Sequence, residues 1–249
     1  MNRLESKVAL ITGAGSGFGA GIALEFIKEG AKVAIVDINA EAAQSTAKSL
    51  GESAIPVHAD ITDKAQLDKA LDRLTDWAGS VDILVNNAGI GHSPTPLEEL
   101  EEKQFEAIFQ VNMRSVFLTS QLLVPIMKKQ KGGCILNIAS TAGISPRPNL
   151  TWYNASKGWL ITATKSMAIE LAPFHIRVNA LNPVAGDTPL LSTFMGEDSP
   201  EMREKFISSV PLGRLSTPKD IGQAAVYLCS EESSLVTGTT LEIDGGRTI

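Results

Sequence analysis

The sequence predicts an α/β fold in which one doubly wound, mostly parallel sheet of about seven strands carries helices on both faces. Short runs of aliphatic and β-branched residues recur along the chain, and helical patterns separate them. Parallel strands need crossover connections, so this alternation favours parallel pairing. Small or polar residues follow most of the strand-like runs, at the edge where such sheets bind ligands. We expect one domain spanning residues 1–249.

The first strand, helix and second strand are predicted around a glycine-rich loop. An apolar run at residues 8–11 leads into Gly13-Ala14-Gly15-Ser16-Gly17-Phe18-Gly19, a helical pattern follows at residues 20–29, and the next strand-like run is at residues 32–37. This order is the context that a dinucleotide-binding fingerprint requires. Glycines let the backbone approach a pyrophosphate, and the helix N-terminus attracts its charge. The sequence therefore predicts a Rossmann-type dinucleotide-binding domain.

The residue that ends the second strand bears on the choice of cofactor. A carboxylate at Asp37 can accept hydrogen bonds from both ribose hydroxyls, and it repels a 2′-phosphate. Ser16 stands in the glycine loop where a basic residue could hold that phosphate. In the alternative interpretation, Asp37 caps the helix that starts near Ala40. We favour the cofactor interpretation, and hence NAD over NADP.

The alternation continues to the end of the chain. Further strands are predicted at residues 54–58, 81–85, 133–139, 176–181 and 238–243, and further helices at residues 40–50, 63–77, 101–130 and 217–230. Another predicted helix carries Tyr153 and Lys157 and runs to about Ala172. Asp60 either bonds the adenine amino group or caps the next helix. Asn112 lies within the long helix, where Asn is disfavoured unless its amide is used, so we expect it to kink the helix or to bind water.

One insertion breaks the alternation. Residues 184–210 contain Pro189, Gly196 and Pro200 together with several large apolar side chains. These apolar residues are Leu190, Leu191, Phe194 and Met195. The insertion is either an ordinary surface excursion or a lid over the substrate with an apolar underside, and we favour the lid.

Tyr153 and Lys157 are the candidate chemical centre. They lie four positions apart, so a helix places them on one face. A cation beside a phenol lowers the pKa of the phenol from about 10, and the tuned tyrosine can then exchange a proton with a substrate oxygen. Ser140 ends the strand-like run at residues 133–139, where its hydroxyl can reach a ligand. The Tyr–Lys pair alone occurs by chance in many helices.

Composition excludes several classes of function. The net charge is −6 and the pI is about 5.2, so the overall field attracts neither nucleic acid nor anionic membranes. The two cysteines, Cys134 and Cys229, make neither a disulfide framework nor a zinc ribbon, and the histidines form no metal-ligand cluster. No apolar segment has the length of a signal or a membrane span, so we expect a cytoplasmic protein.

Six motifs jointly resemble those of the short-chain dehydrogenase/reductase family, single-domain branch, over nearly the whole chain. They are Thr12-Gly13-x-x-x-Gly17-x-Gly19, Asn86-Asn87-Ala88-Gly89, Asn112, Ser140, Tyr153-x-x-x-Lys157 and Asn182-Pro183. The resemblance implies hydride transfer between a nicotinamide and a substrate carbon, and it implies a homotetramer.

The resemblance also implies the roles of the site residues. Tyr153 would be the general acid/base, Lys157 would lower its pKa and hold the nicotinamide ribose, Ser140 would position the carbonyl, and Asn112 would fix a water linked to Lys157. Thr188 matches a position that commonly bonds the nicotinamide carboxamide. The predicted cofactor-binding set is Gly13, Ser16, Gly17, Phe18, Gly19, Asp37, Asp60, Ile61, Asn87, Ala88, Gly89, Tyr153, Lys157, Pro183, Gly186 and Thr188. Val184 replaces the glycine that usually follows the proline, so its backbone is expected to differ.

Substrate identity does not follow from these motifs, and three residues have two interpretations each. Arg147 attracts an anionic group or lies in a solvated loop or subunit contact. Trp152 walls the pocket or belongs to an interface. His92 bonds a substrate hydroxyl or takes no part.

The family's 3-oxoacyl reductases usually carry basic residues that grip an acidic carrier protein. Ser16, Cys134 and Phe174 stand at what look like the matching positions. We therefore expect a free secondary alcohol, sugar or polyol as the substrate, with a 3-oxoacyl reductase as the alternative. A non-catalytic redox sensor is the other alternative, although a sensor would not need Asn112 and Tyr153.

Overall fold

The computed structural model describes residues 2–196 and 199–249, and within them seven parallel strands form one sheet. The strands are β1 (Val8–Thr12), β2 (Lys32–Asp37), β3 (Ala54–His58), β4 (Ile83–Asn86), β5 (Gly133–Ile138), β6 (Ile176–Pro183) and β7 (Thr240–Ile243). Their order across the sheet is β3-β2-β1-β4-β5-β6-β7. The chain therefore winds outward in both directions from β1 and β4, and the predicted doubly wound fold is confirmed.

Helices cover both faces of this sheet. They are α1 (Gly17–Lys28), α2 (Ala40–Leu50), α3 (Lys64–Ala78), α4 (Glu102–Phe109), α5 (Ser115–Gln130), α6 (Thr151–Leu171), α7 (Leu190–Met195), α8 (Pro200–Ser208) and α9 (Pro218–Cys229). Successive strand residues face opposite ways. Ile11 accordingly packs in a core with residues of α1, α2 and α9, whereas Leu10 packs with residues of α3, α5 and α6. Burial on both faces explains why the strands read as continuous apolar runs.

Two helix boundaries differ from the predicted ones. The first helix begins at Gly17 and not near Ala20, so its N-terminus opens directly onto the glycine loop. The helix predicted at residues 101–130 is divided into α4 and α5 by a π-helical turn at Gln110–Arg114, which contains Asn112. Such turns are frequent at functional sites.

The insertion at residues 184–210 contains α7 and α8 and has a small core of its own. Leu191, Met195 and Phe206 form its buried part, and Phe194 packs against them. Val184 is buried and its N–H donates to the carbonyl of Ile243 at 3.1 Å. Its φ is not in the left-handed region, so the backbone there accepts a side chain and the usual glycine is not required.

None of the helices in the described part of the chain has both the length and the apolar character needed to cross a bilayer.

Candidate active site

The strand order reverses between β1 and β4, and this reversal places a crevice beyond the carboxyl ends of the strands. A cavity of about 330 Å³ lies there. Thirteen predicted site residues line it: Gly13, Ser16, Gly17, Phe18, Asp37, Asn87, Gly89, Ser140, Tyr153, Lys157, Pro183, Gly186 and Thr188. Five others do not line it: Gly19, Asp60, Ile61, Ala88 and Asn112.

The glycine loop has the features of an anion cradle. Gly13 and Gly17 have φ values of +62° and +55°, in the left-handed region that favours glycine. Ser16 precedes α1 and makes no side-chain cap bond, so the first N–H groups of the helix have no capping partner. A Cβ at Gly19 would lie 2.4 Å from the carbonyl oxygen of Gly13. These features fit the pyrophosphate of a dinucleotide, because a helix N-terminus binds anions.

Residues after β4 hold this loop in place. The side-chain amide of Asn87 donates to the carbonyl oxygens of Thr12 and Gly13, at 2.8 and 3.0 Å. The hydroxyl of Thr12 accepts from the backbone N–H groups of Asn87 and Ala88, both at 3.1 Å. Asn87 and Ala88 therefore position the loop, a structural role in addition to the predicted cofactor contact.

Asp37 faces the glycine loop and does not cap α2. One carboxylate oxygen accepts from the N–H of Gly15 at 2.9 Å, and the other accepts from the N–H of Asn39 at 2.9 Å. The cap of α2 is Asn39, whose side chain accepts from Ala42 N–H. The alternative that Asp37 caps this helix is therefore wrong.

Asp60 is held in a local turn. One of its carboxylate oxygens accepts from the N–H and the hydroxyl of Thr62, at 2.8 and 2.7 Å. Asp63 caps α3, so the capping alternative for Asp60 is wrong as well. A contact of Asp60 or Ile61 with adenine stays a prediction.

Tyr153 and Lys157 lie one turn apart on α6, as the spacing predicts, and both are buried. The Lys157 ammonium is 5.8 Å from the centre of the Tyr153 ring and donates to the carbonyl oxygen of Ile138 at 2.9 Å. The hydroxyl of Ser140 accepts from Ala142 N–H at 3.1 Å. β5 and α6 thus bring the three side chains to one end of the cavity.

The pKa of Tyr153 is shifted in the direction opposite to the one expected from the sequence. Burial raises the pKa of Tyr153 to about 12, although a hydrogen bond with Ser140 and the charge of Arg147 act to lower it. Burial also lowers the pKa of Lys157 to about 8. Desolvation therefore outweighs the neighbouring charges, and a neutral phenol stands beside a lysine that is mostly charged at pH 7.

This shift makes stability depend on pH. The unfolded chain keeps the Lys157 proton up to about pH 10.4, whereas the folded chain loses it near pH 8. The unfolded state thus binds more protons between these values, and stability rises with pH there. We expect the stability of the wild type minus that of Lys157→Met to rise by about 2 kcal/mol between pH 8 and pH 10. Urea unfolding of both proteins at several pH values measures this difference, and a flat difference would contradict the shift.

Asn112 uses its amide fully, which explains its place in the π-helical turn. The side-chain oxygen accepts from Ile90 N–H at 2.8 Å, and the side-chain nitrogen donates to the Ile90 carbonyl at 2.9 Å and to Ser156 at 3.0 Å. A Cβ at Gly89 would lie 3.4 Å from this oxygen and 3.3 Å from the Lys157 ammonium. Asn112 therefore joins the loop after β4 to α6. The predicted water stays a prediction.

A buried polar network beneath the site escaped the sequence analysis. Asn86 donates to Asn137 at 2.9 Å and accepts from the hydroxyl of Thr119 at 2.8 Å. Asn137 donates to Thr164 at 2.9 Å. The network ties β4 and β5 to α5 and α6, so it fixes the helix that carries Tyr153. In the sequence, this network is indicated only by two asparagines, Asn86 and Asn137, near the ends of buried strands.

Phe194 of α7 closes one side of the cavity. Its ring centre lies 4.8 Å from that of Tyr153. A Cβ at Gly91 would approach the Phe194 ring to 2.4 Å, so the glycine makes room for it. Leu190 and Leu191 also line the cavity. This packing gives the insertion the apolar underside that the sequence predicts.

The three residues with open interpretations are placed differently. Arg147 lines the cavity. Trp152 does not line it and packs edge-on against Phe105 of α4, with ring centres 5.2 Å apart. His92 is buried outside the cavity lining; its Nδ1 contacts the carbonyl of Ser93 at 2.8 Å, and its Nε2 has no partner. Within residues 2–196 and 199–249, no three His, Cys, Asp or Glu side chains form a group suited to a metal ion.

Comparison with known proteins places this geometry in a family. A family model described as enoyl-(acyl carrier protein) reductase matches residues 13–248. The crystal structure of a 3-ketoacyl-(acyl-carrier-protein) reductase from Brucella melitensis complexed with NADH is 52% identical, with a TM-score of 0.95, covering 99% of this chain and 100% of that one.

Two further relatives match over nearly their whole length. The 4-formylbenzenesulfonate dehydrogenase of Comamonas testosteroni is 41% identical, over 99% of both chains. The crystal structure of a short-chain type dehydrogenase/reductase from Mycobacterium marinum is 36% identical, with a TM-score of 0.90, covering 98% of this chain and 96% of that one. These matches, together with the cluster of Ser140, Tyr153 and Lys157, show that this chain belongs to the short-chain dehydrogenase/reductase family of oxidoreductases.

Proposed function

We propose that this protein is an NAD-dependent oxidoreductase that interconverts a secondary alcohol and its ketone. The observation that carries the proposal is the convergence of Ser140, Tyr153 and Lys157 on a cavity that also reaches the glycine loop. The nicotinamide supplies or accepts the hydride when it is bound. The loop from Gly13 to Gly19 and the N-terminus of α1 would hold its pyrophosphate, and Asp37 would hold the adenosine ribose.

The chain's own residues handle the proton. With a pKa of about 12, Tyr153 is protonated at neutral pH and can donate to the carbonyl oxygen of a ketone. Oxidation of an alcohol needs the phenolate; the hydrogen bond with Ser140 and the charge of Arg147 favour that form, and the Lys157 ammonium would favour it below about pH 8. Ser140 orients the same substrate oxygen, and Phe194 excludes water from the Tyr153 ring.

Two observations support NAD over NADP. The carboxylate of Asp37 is fixed at the glycine loop and would repel a 2′-phosphate. The Brucella melitensis structure, at 52% identity, contains NADH.

A 3-oxoacyl reductase is the second candidate, because the Brucella melitensis structure carries that name. The identity of the residue at position 134 does not count against this candidate. Cys134 is buried in the core of the sheet, so its side chain is not on a surface that a carrier protein could contact. Phe174 is exposed, with the Lys128 ammonium 4.1 Å from its ring centre, and Ser16 lines the cavity without supplying a charge.

A substrate panel tests the proposal. Purified protein would be incubated with NAD and separately with NADP against secondary alcohols, polyols, sugars and hydroxy acids, and a 3-oxoacyl thioester would be tested for reduction. We expect nicotinamide reduction confined to NAD and to one chemical class of free alcohol. Turnover of the thioester far above that of every free compound would favour the second candidate. NADH binding without turnover of any compound would favour the non-catalytic sensor.

We also propose a homotetramer, as the family resemblance implies. Five exposed aromatic side chains lie on α4, α5 and α6: Phe105, Phe109, Phe117, Trp152 and Trp159. Groups of exposed apolar side chains are typical of association sites. Helix α6 carries Tyr153, so an interface on its outer face would stiffen the site.

A further inference from the structure

Arg147 presents a fixed guanidinium group to the substrate end of the cavity. It lies in the connection between β5 and α6 and lines the cavity together with Ser140 and Tyr153. The carbonyl of Arg147 accepts from the side-chain amide of Asn154 at 2.7 Å, which holds the connection against α6. The Arg147 Cζ atom lies 4.4 Å from the ring centre of Phe206, so the guanidinium stacks on an aromatic face.

No carboxylate in the described part of the chain forms an ion pair with Arg147, although it lines the cavity and is half-buried. Arg3 pairs with Glu29 at 2.7 Å, and Arg214 pairs with Asp220 at 2.6 Å. Burial lowers the pKa of the Arg147 guanidinium, and the charge of Arg247 lowers it further. A half-buried cation with a cationic neighbour is costly unless an anion joins it.

Arg247 lies next to this end of the cavity, and its charge acts on Arg147. Its Nη1 atom donates to the hydroxyl of Ser145 at 3.4 Å, and Ser145 lines the cavity. The Nε atom of Arg247 is buried and has no hydrogen-bond partner. The carboxylate of Asp244 is occupied by Gly246 N–H and by the N–H and hydroxyl of Thr248, at 2.9, 2.9 and 2.7 Å. Arg247 thus adds positive charge beside Arg147, and the donors of Arg147 face the cavity.

Several large apolar side chains also line the cavity. Its walls include Leu150, Leu191, Phe194 and Phe206. Among the lining residues that the structure describes, Asp37 is the one carboxylate, and it belongs to the glycine-loop end. A ligand that suits these walls has an apolar body and a single anionic group.

We propose that Arg147, assisted by Arg247, binds a carboxylate or sulfonate carried by the substrate whose hydroxyl or carbonyl contacts Tyr153. The proposal rests on the proposed function and narrows the substrate to a small hydroxy or oxo compound with an anionic substituent. Arginine suits this role because its planar donors match the oxygens of such a group. Phe206 holds the guanidinium in place, and Ser140 holds the other end of the same molecule.

Binding to the protein without nucleotide tests the anion site separately from turnover. Benzoate and benzenesulfonate would be titrated by calorimetry, with benzamide and benzenesulfonamide as neutral counterparts. We expect one or both anions to bind more tightly than their counterparts, and Arg147→Met to weaken the anion about 10- to 100-fold with no effect on the neutral compounds. Arg147→Lys should restore part of the loss. The comparison of the two anions identifies the preferred group.

Arg73→Met is the matched control. Arg73 is exposed on α3, so this substitution removes the same charge at a position outside the cavity. Equal affinities for anionic and neutral compounds would overturn the proposal, as would the absence of anion binding to the wild type or an unchanged affinity in Arg147→Met. Reduction of 4-acetylbenzoate and of its methyl ester by NADH then separates the two proposals. If neither ketone nor any other compound is reduced while the anion still binds through Arg147, the proposed function fails and the anion site stands.

Discussion

Tyr153→Phe is expected to lower turnover by a factor of about 100 to 10,000, the usual contribution of a positioned acid or base. The substitution removes the hydroxyl that would exchange a proton with the substrate oxygen and keeps the ring that packs against Phe194 at 4.8 Å. Because the glycine loop and Asp37 are untouched, NADH affinity should stay within about twofold of the wild type. Steady-state kinetics with the best substrate of the panel and a fluorescence titration with NADH measure the two quantities.

Tyr227→Phe supplies the control, since Tyr227 is the other tyrosine of the chain and is exposed on α9. It should leave both turnover and NADH affinity unchanged. Turnover above half the wild-type value in Tyr153→Phe would show that another group exchanges the proton. A parallel fall in NADH affinity would instead indicate damage to the cavity, and circular dichroism would reveal loss of fold.

The fold could be predicted because its signals are local in the sequence. The strand β1 is buried at all five positions, so its first four residues read as an uninterrupted apolar run, and Gly13 and Gly17 mark the turn that follows. The spacing of Tyr153 and Lys157 alone placed them on one face of α6. Each of these features can be predicted from residues close together in the sequence, without knowledge of the side chains that pack against them.

The features that were missed depend on contacts between distant parts of the chain. The π-helical turn forms where Asn112 bonds the backbone of Ile90, 22 positions away. The pKa of Tyr153 rises because the surrounding protein removes it from water, and no neighbouring motif encodes that burial. Arg147 and Arg247 are 100 positions apart in the sequence, so their convergence becomes visible only when β5, α6 and the C-terminal segment are folded together.

Replacing Asp37 by Ala and Ile38 by Arg is expected to shift the preference from NADH toward NADPH. Like unit charges about 4 Å apart repel by about 4 kcal/mol at an effective dielectric constant of about 20, and salt reduces this value. Removing the carboxylate abolishes the repulsion of a 2′-phosphate, and the exposed position of Ile38 leaves room for a guanidinium. We expect the ratio of kcat/KM for NADPH to that for NADH to rise at least about 100-fold, which corresponds to about 2.7 kcal/mol.

Ile38→Arg alone is the control, because it adds the cation and keeps Asp37. It should move the ratio less than the double substitution, since the phosphate would still face a carboxylate. Asp37 also accepts from the N–H groups of Gly15 and Asn39, so its loss should lower NADH affinity as well as admit NADPH. A ratio that does not move while NADH affinity falls would mean that Asp37 acts only as a support for the glycine loop, and the preference for NAD would then need another origin in the cavity.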